Sequence, residues 1–251
     1  MSRTSSLRRE SPAFARKAGS YDMHANVQVD AAALLAEWLP RELPDASCLE
    51  LGAGTGLFSQ YLAHRFQQLE CTDISPEMLE HCRERLPQAS YRALDAWEAP
   101  GLHEARYDFL TSCSLLQWAT SPPSVLQNWA DRLKPKGRML LGFFVAPSLP
   151  ELDQVLNGAS PVQWRSPEVW QDALRTAGLH VERIECNTHR YEYPSALHFW
   201  KSLHGTGCNV TRGTATGTLR RHLREYQRAF STENGVRATW TFCRADLRLN
   251  K

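Results

Sequence analysis

The sequence lacks the long apolar segments that membrane and secretory proteins carry. No stretch approaches the roughly 18 consecutive apolar residues that make a bilayer-spanning helix a candidate. The first ten residues, MSRTSSLRRE, are basic and polar, and no apolar segment follows them. This pattern does not match a secretory signal. These absences predict a cytoplasmic protein that does not bind membranes.

Paired cysteine motifs and a strong net charge are also missing. The seven cysteines are scattered, odd in number and form no C-x-x-C pair, so we expect reduced packing thiols. A zinc site needs clustered Cys and His ligands, so no metal is expected. The formal net charge of +2 is too small to indicate a nucleic-acid partner.

Strand-like and helix-like segments alternate in the first part of the chain and indicate an α/β fold. Strands separated by helices imply parallel βαβ units and a doubly wound sheet. Strands are predicted at 47–51, 68–72, 90–94, 107–112 and 138–145, and helices at 24–38, 57–65, 76–86 and 124–133.

The second half is less regular and predicts a helical cap. Two late strands, 179–193 and 236–247, should lie side by side and complete a mostly parallel sheet of seven strands. Helices are predicted at 149–156, 167–177, 194–204 and 216–230, and all but the second should be insertions that roof the sheet. The expected organisation is a flexible tail over 1–12 and one domain over 13–251, with a cofactor-binding half (13–145) and a substrate-side half (146–251).

A glycine-rich loop, CLELGAGTG, follows the first predicted strand. Open α/β sheets bind ligands at the carboxyl ends of their strands, and glycines let a ligand approach the backbone. The dinucleotide pattern G-x-G-x-x-G would need a glycine where Leu57 stands, and the G-K-[ST] of a phosphate-binding loop is absent. The ligand therefore need not be a pyrophosphate.

The pattern E-x-G-x-G-x-G resembles the nucleotide loop of class I methyltransferases that use S-adenosylmethionine. Three further segments fit that family in order: CTDIS at the end of the second strand, YDFLTSCSLLQW around the fourth, and LKPKGRMLLGFF before the fifth. The resemblance implies a Rossmann-like fold, S-adenosylmethionine as cofactor and S-adenosylhomocysteine as product. The cofactor-binding residues that it implies are Glu50, Gly52, Gly54, Gly56, Asp73, Ile74, Met78, Asp95, Ala96 and Trp97. Asp73 would accept hydrogen bonds from both ribose hydroxyls, and the turn at 95–97 would hold the adenine.

Five more segments resemble the malonyl-acyl-carrier-protein O-methyltransferases of biotin synthesis, over about 14–248. They are AFARKAGSYDMHANVQ, LLQW, SLPEL, SLHGTGCN and the closing aromatic strand. The chain departs from the family at Glu50, where Asp is more frequent, and at His204, where Lys is frequent. The resemblance implies methylation of the free carboxylate of a malonyl thioester on an acyl carrier protein.

That reaction places few demands on acid or base catalysts. A carboxylate is already ionised at pH 7, so no general base is required. A carboxylate held tightly by cations would lose nucleophilicity, so one cation at a distance and a neutral donor such as tyrosine suit the task better. Tyr21 is the first candidate for this positioning role, because the family folds its arm over the cofactor. The alternative is that Tyr21 only packs the arm onto the core.

Further residues are predicted to contact the substrate or the carrier. The substrate candidates are Tyr21, His24, Gln117, Trp118, Lys201 and His204. For His24 the alternative is a helix-start residue, for Trp118 a core residue, and for Lys201 and His204 solvated positions. The arginines Arg220, Arg224 and Arg228 would form a basic stripe that steers an acidic carrier, unless they are only a solvated face. A second basic patch is Arg8, Arg9, Arg16 and Lys17.

Three other functions compete with this one. A methyltransferase for a free small acid, such as an aconitate-like substrate, would share the fold and cofactor. Nucleic-acid and protein N-methyltransferases often carry [DN]-P-P-[YF] after the fourth strand, where Ser112–Leu115 stands here. A non-catalytic binding protein on the same fold would not need to keep Glu50, Asp73 and Asp95 together.

Overall fold

One twisted sheet organises the chain in this computed structural model, which describes residues 18–41, 43–98, 106–158, 164–208 and 215–249. The strands are β1 (Ser47–Leu51), β2 (Gln68–Asp73), β3 (Ser90–Ala93), β4 (Tyr107–Cys113), β5 (Leu133–Val145), β6 (Leu179–Tyr193), β7 (Ser231–Thr232) and β8 (Gly235–Leu249). The helices are α1 (Asn26–Ala36), α2 (Ser59–Ala63), α3 (Pro76–Arg85), α4 (Pro122–Ala130), α5 (Pro150–Val155), α6 (Pro167–Thr176), α7 (Ala196–Gly205) and α8 (Thr216–Ala229). The predicted tail lies outside the described residues.

The strand order is β3-β2-β1-β4-β5-β8-β6, and the short β7 pairs with β8. The first five strands in this order, β3, β2, β1, β4 and β5, run parallel to one another. β8 is antiparallel to its neighbours β5 and β6. The predicted doubly wound, mostly parallel sheet is confirmed, and the two late strands are adjacent as expected. The two-residue β7 was not predicted.

Apolar residues of alternating register fill a core layer on each face of the sheet. In β1, for example, Cys48 packs into one buried cluster and Leu49 into the other. A strand that is buried on both faces is expected for a parallel sheet covered by helices. All seven cysteines are free in this structure; five are buried and Cys113 is half-buried, whereas Cys186 is exposed and so is not one of the predicted packing thiols.

The ends of β6 and β8 extend past β5 and carry the cap. Val145, the last residue of β5, pairs with Thr241, whereas the pairing of β6 with β8 continues as far as Tyr193 and Val236. All three predicted insertions contact this extension. In α5, Glu151 accepts a hydrogen bond from Thr239 Oγ1 at 2.6 Å. In α7, Phe199 packs on Tyr193 with ring centroids 5.1 Å apart. In α8, the Tyr226 hydroxyl donates to the carbonyl of Arg237 at 2.8 Å.

Several boundaries differ from the prediction for local reasons. The residues predicted to begin the first helix form a 3-10 turn over Asp22–His24, and α1 starts at Asn26. β5 begins at Leu133, which pairs with Tyr107 before a register shift, and Lys136 has a φ of 64° just before the regular strand.

Within the described residues, no helix combines the length and apolarity needed to cross a bilayer.

Candidate cofactor and acceptor site

A cavity of about 1190 Å³, which includes space open to solvent, lies at the carboxyl ends of β1, β2 and β4. Most of the residues that were predicted from the sequence to bind the cofactor or the substrate line this cavity. They are Tyr21, Glu50, Gly52, Gly54, Asp73, Ile74, Met78, Asp95, Ala96, Gln117 and Trp118. The predicted residues that do not line it are Gly56, Trp97, His24, Lys201, His204 and the α8 arginines.

The three glycines after β1 all have positive φ, at 74°, 56° and 88°, which L side chains seldom adopt. A Cβ at Gly52 would lie 2.7 Å from Leu115 Cδ2, and one at Gly56 would lie 2.9 Å from Cys82 Sγ. Apart from its chain neighbours, a Cβ at Gly54 would meet no atom of the described residues within 4 Å, although Gly54 lines the cavity. Gly52 and Gly56 therefore allow close packing, while Gly54 leaves backbone open to a ligand.

Asp73, the last residue of β2, connects that loop to the start of α3. Its Oδ2 accepts the N–H of Gly54 at 3.0 Å, and its Oδ1 accepts the N–H of Ser75 at 2.9 Å. Burial raises the pKa of Asp73, and these backbone N–H groups oppose the rise. Each carboxylate oxygen has two lone pairs, so Asp73 retains acceptor capacity for two ribose hydroxyls.

Glu50 forms the buried acidic floor below the loop, with a relative exposure of 1%. Its Oε2 accepts a 2.5 Å hydrogen bond from Ser59 Oγ. Burial raises the pKa of Glu50 to about 8, because the charged form is poorly solvated there. At pH 7 the carboxyl of Glu50 is therefore mostly protonated, and a bound cation would favour its ionised form. Asp73 and Asp95 also line this end of the cavity, and no Lys, Arg or His is among the described residues that line it. A ligand with positive charge, such as S-adenosylmethionine, fits these residues.

The turn after β3 is held in place by α4. Asp95 Oδ1 accepts the N–H of Trp97 at 3.0 Å, and the carbonyl of Ala96 accepts from Trp129 Nε1 at 2.7 Å. Trp97 stacks on Trp129 with centroids 6.2 Å apart. Trp97 therefore supports the turn from behind, while Asp95 and Ala96 line the cavity.

The amino-terminal arm, residues 18–25, is fastened to the glycine loop. Asp22 Oδ1 accepts from Thr55 Oγ1 at 2.6 Å, and its Oδ2 accepts from Arg85 at 2.5 Å. No role was predicted for Asp22 or Thr55, although they lie in the segments SYD and GTG. These two bonds hold Tyr21 against the cavity.

The hydroxyl of Tyr21 makes no hydrogen bond to any residue that the structure describes. Burial and the nearby negative charge of Asp73 raise the pKa of Tyr21 above its ordinary value. The phenol is therefore neutral at physiological pH and can donate one hydrogen bond.

The remaining predicted residues are placed away from the cavity. The carbonyl of His24 accepts from Ser202 Oγ at 3.0 Å, and its ring packs against Gly205. Lys201 is exposed and His204 is half-buried on α7. Arg220, Arg224 and Arg228 are exposed on α8, and the second basic patch lies outside the described residues. Substrate and carrier roles for these residues stay predictions.

An aromatic cluster forms the part of the cavity wall farthest along the sheet, near β5 and β8. Trp164 lies 6.4 Å from Phe144 and 5.8 Å from Trp240, measured between ring centroids, and all three line the cavity. Sequence reasoning missed Trp164 and gave Phe144 and Trp240 only as strand residues. These rings come from distant segments, and no local motif connects them.

Comparisons with known proteins identify the family of this chain. Residues 49–141 match a family model described as a methyltransferase domain. The chain is 32% identical over 192 residues to the malonyl-[acyl-carrier protein] O-methyltransferase of Methylococcus capsulatus, covering 72% of this chain and 70% of that protein. It is 28% identical over 232 residues to the biotin biosynthesis bifunctional protein BioHC of Cellvibrio japonicus, covering 90% of this chain and 46% of that protein. The chain thus spans about half the length of the bifunctional biotin proteins that it matches.

A solved structure supports the fold independently. The YcgJ protein of Bacillus subtilis superimposes with a TM-score of 0.67 at 16% identity, covering 88% of this chain and 99% of that one. A sequence identity this low supports a shared fold and nothing further. The sequence match to the Methylococcus protein is both closer and extensive, and the chain belongs to the malonyl-acyl-carrier-protein O-methyltransferase family.

Proposed function

We propose that this protein is an S-adenosylmethionine-dependent O-methyltransferase that methylates the free carboxylate of malonyl-acyl carrier protein at the entry to biotin synthesis. The observation that carries the proposal is a single cavity with an acidic end at Glu50, Asp73 and Asp95 and a neutral aromatic end. The acidic end fits a cationic cofactor, and the neutral end fits an acceptor that needs no activation. Seven free thiols suit a reducing compartment, and we place the protein in the cytoplasm.

The residues of this chain have a limited chemical task in that reaction. When bound, S-adenosylmethionine supplies an electrophilic methyl group. Asp73 would hold the ribose, and the turn at Asp95 and Ala96 would hold the adenine. The acceptor carboxylate is ionised at neutral pH, so the chain has to align it and exclude water. The lack of His and Lys among the described cavity residues supports this mechanism without a general base.

The direct test is an assay with malonyl-acyl carrier protein and S-adenosylmethionine, followed by mass spectrometry of the acyl group. We expect the malonyl group to gain one methyl, and we expect a free aconitate-like acid to gain none. Methylation of the free acid alone would overturn the proposed substrate. Cofactor binding by calorimetry without any methyl transfer would indicate a non-catalytic binding protein.

Replacing Tyr21 by Phe tests its positioning role. Loss of a hydrogen bond to a charged group costs about 1.5–3 kcal/mol, so we expect kcat for the malonyl thioester to fall roughly 10- to 100-fold. Affinity for S-adenosylhomocysteine, measured by calorimetry, should change much less. Tyr191→Phe, outside this cavity, is the matched control and should keep kcat. A normal kcat in Tyr21→Phe would leave Tyr21 with a packing role alone.

Changing Arg220, Arg224 and Arg228 together to Glu tests carrier docking by the exposed face of α8. Surface charges mainly set the encounter rate and its salt dependence. We therefore expect KM for malonyl-acyl carrier protein to rise about tenfold and its salt dependence to flatten. KM for a small malonyl thioester should be unchanged.

The matched control reverses three exposed arginines on other elements, Arg83, Arg92 and Arg175. This control should retain the carrier KM of the unaltered protein. Equal loss on both substrates in the α8 variant would make that helix part of the fold or the pocket instead. Unchanged KM for the carrier would show that the carrier docks elsewhere.

A further inference from the structure

The turn after β4 lies between the two ends of the cavity. The acidic residues of the cofactor end lie at or just after the carboxyl ends of β1, β2 and β3, whereas Phe144 and Trp240 of the aromatic end belong to β5 and β8. β4 lies between β1 and β5 in the sheet. Ser114 comes directly after β4 and lines the cavity. It is therefore placed near the point where a methyl group would pass from cofactor to acceptor.

Ser114 has an unusual backbone conformation for a residue with a side chain. Its φ is 59°, in the left-handed region that favours glycine. Among the described residues, Lys136, Leu149 and Asn157 are the other non-glycine residues with a positive φ, and none of them lines the cavity. Residues held in such sparsely populated conformations cluster at functional sites. Glycine at position 114 would relieve the strain, so the serine side chain is retained at a cost in stability.

Contacts of the backbone and of the next residue hold this turn. The N–H of Ser114 donates to the carbonyl of Gly142 at 2.8 Å, and its carbonyl accepts from Gln117 Nε2 at 2.8 Å. Leu115 packs against the glycine loop, where its Cδ2 would lie 2.7 Å from a Cβ added at Gly52. None of these three contacts uses the side chain of Ser114. The turn can therefore keep its shape when that side chain is changed.

The hydroxyl of Ser114 is available to a ligand. Its Oγ lies 3.7 Å from the Sγ of Cys113, and a thiol is only a weak donor and acceptor. Ser114 is half-buried rather than enclosed, so a ligand in the cavity can reach its side chain. Tyr21 lies close enough to Cys113 and Asp73 for negative charge on either to raise its pKa. The hydroxyl groups of Tyr21 and Ser114 therefore lie in the same part of the cavity.

We propose that Ser114 donates its hydroxyl to the carboxylate of the malonyl acceptor and, together with Tyr21, selects for a free acid. This inference rests on the proposed function. A carboxylate oxygen has two lone pairs, so the oxygen that is not methylated can accept from both hydroxyl groups. No proton is transferred to or from Ser114. A neutral hydroxyl holds the carboxylate in place and lowers its nucleophilicity less than a close cation would.

The test measures binding to the protein loaded with S-adenosylhomocysteine, by calorimetry, with two ligands. Malonyl-pantetheine carries the carboxylate, and butyryl-pantetheine has a chain of similar length without it. In both Ser114→Ala and Ser114→Gly we expect the Kd of malonyl-pantetheine to rise about tenfold and that of butyryl-pantetheine to change less than about twofold. Ser114→Gly should nevertheless melt about 2–4 °C above Ser114→Ala, because glycine relieves the strained backbone. Affinity should thus follow the hydroxyl, while stability follows the backbone.

Lys136→Gly is the matched control for strain, because Lys136 has a φ of 64°, is exposed and lies outside the cavity. This control should retain both affinities, and every variant should retain its affinity for S-adenosylhomocysteine. Retained malonyl affinity in Ser114→Gly would overturn the inference, since any loss in Ser114→Ala would then come from the backbone.

Three other results would also overturn the inference. They are an equal loss of both thioesters, a parallel loss of affinity for S-adenosylhomocysteine, and a lack of preference for malonyl-pantetheine in the unaltered protein. Failure of the unaltered protein to methylate malonyl-acyl carrier protein is a separate result that would overturn the proposed function.

Discussion

Gly54→Val is expected to abolish detectable binding of S-adenosylmethionine while the protein still folds. Gly54 lines the cavity, and within the described part of the chain a Cβ there would meet no atom within 4 Å other than those of its chain neighbours. The added side chain would therefore enter the space that a ligand occupies rather than the core. We expect the Kd for S-adenosylmethionine, measured by calorimetry, to rise roughly 100-fold or more. The two methyl groups of valine would occupy the space of the ligand, so that the ligand could bind only if the side chain or the ligand itself shifted.

The φ of 56° at Gly54 also strains any side chain, so a control must carry the same strain. Gly178, between α6 and β6, has a φ of 73° and open space around its Cβ position, and it lies outside the cavity. Gly178→Val should lose a similar amount of thermal stability and keep cofactor affinity. Retained cofactor binding in Gly54→Val would refute the assignment of this loop.

Asp73→Ala is expected to give the second largest effect. The substitution removes the acceptor that we propose for two ribose hydroxyls, and it also removes the acceptor for the N–H groups of Gly54 and Ser75. Leaving such partners unmet costs about 1–3 kcal/mol, which corresponds to a rise in the Kd of S-adenosylmethionine of roughly 5- to 150-fold. Isothermal titration of the folded variant measures this directly.

Asp108→Ala separates the cofactor role from a role in the fold. Asp108 also accepts a backbone N–H, that of Ser47 at 2.9 Å, and it pairs with Lys134 at 2.7 Å, away from the cavity. Its loss should lower the melting temperature and leave cofactor affinity intact. If Asp73→Ala behaved in the same way, Asp73 would only support the start of α3.

The cofactor half could be predicted from the sequence because its residues follow directly from local structure. Gly54, Asp73 and Asp95 lie at or just after the carboxyl ends of β1, β2 and β3, and parallel strands bring these ends to one edge. A correct strand assignment therefore suffices to place these residues together. The acidic floor at Glu50 follows from the same strand.

The acceptor half depends on how distant segments pack. Trp164 enters the cavity wall through contacts with Phe144 and Trp240, which belong to two antiparallel strands. For Lys201, the spacing of apolar residues in the sequence did predict an outward position. The buried face of α7 includes Ala196, Phe199, Trp200 and Leu203, and Lys201 lies outside this face. That period fixes which face is buried but not which neighbour the outer face meets.

Because of the arm over residues 18–25, the candidate site begins earlier in the chain than the sheet and its helices do. Every strand of the sheet and every helix from α1 onward begins after it, so a piece that starts near Asn26 would contain the whole sheet and all of these helices. Tyr21 and Asp22, however, supply part of the cavity wall and the bond to Thr55. A piece that contains the whole sheet can therefore be shorter than the smallest piece that has a complete site. A truncation or fusion judged only by solubility and melting temperature would not reveal the difference.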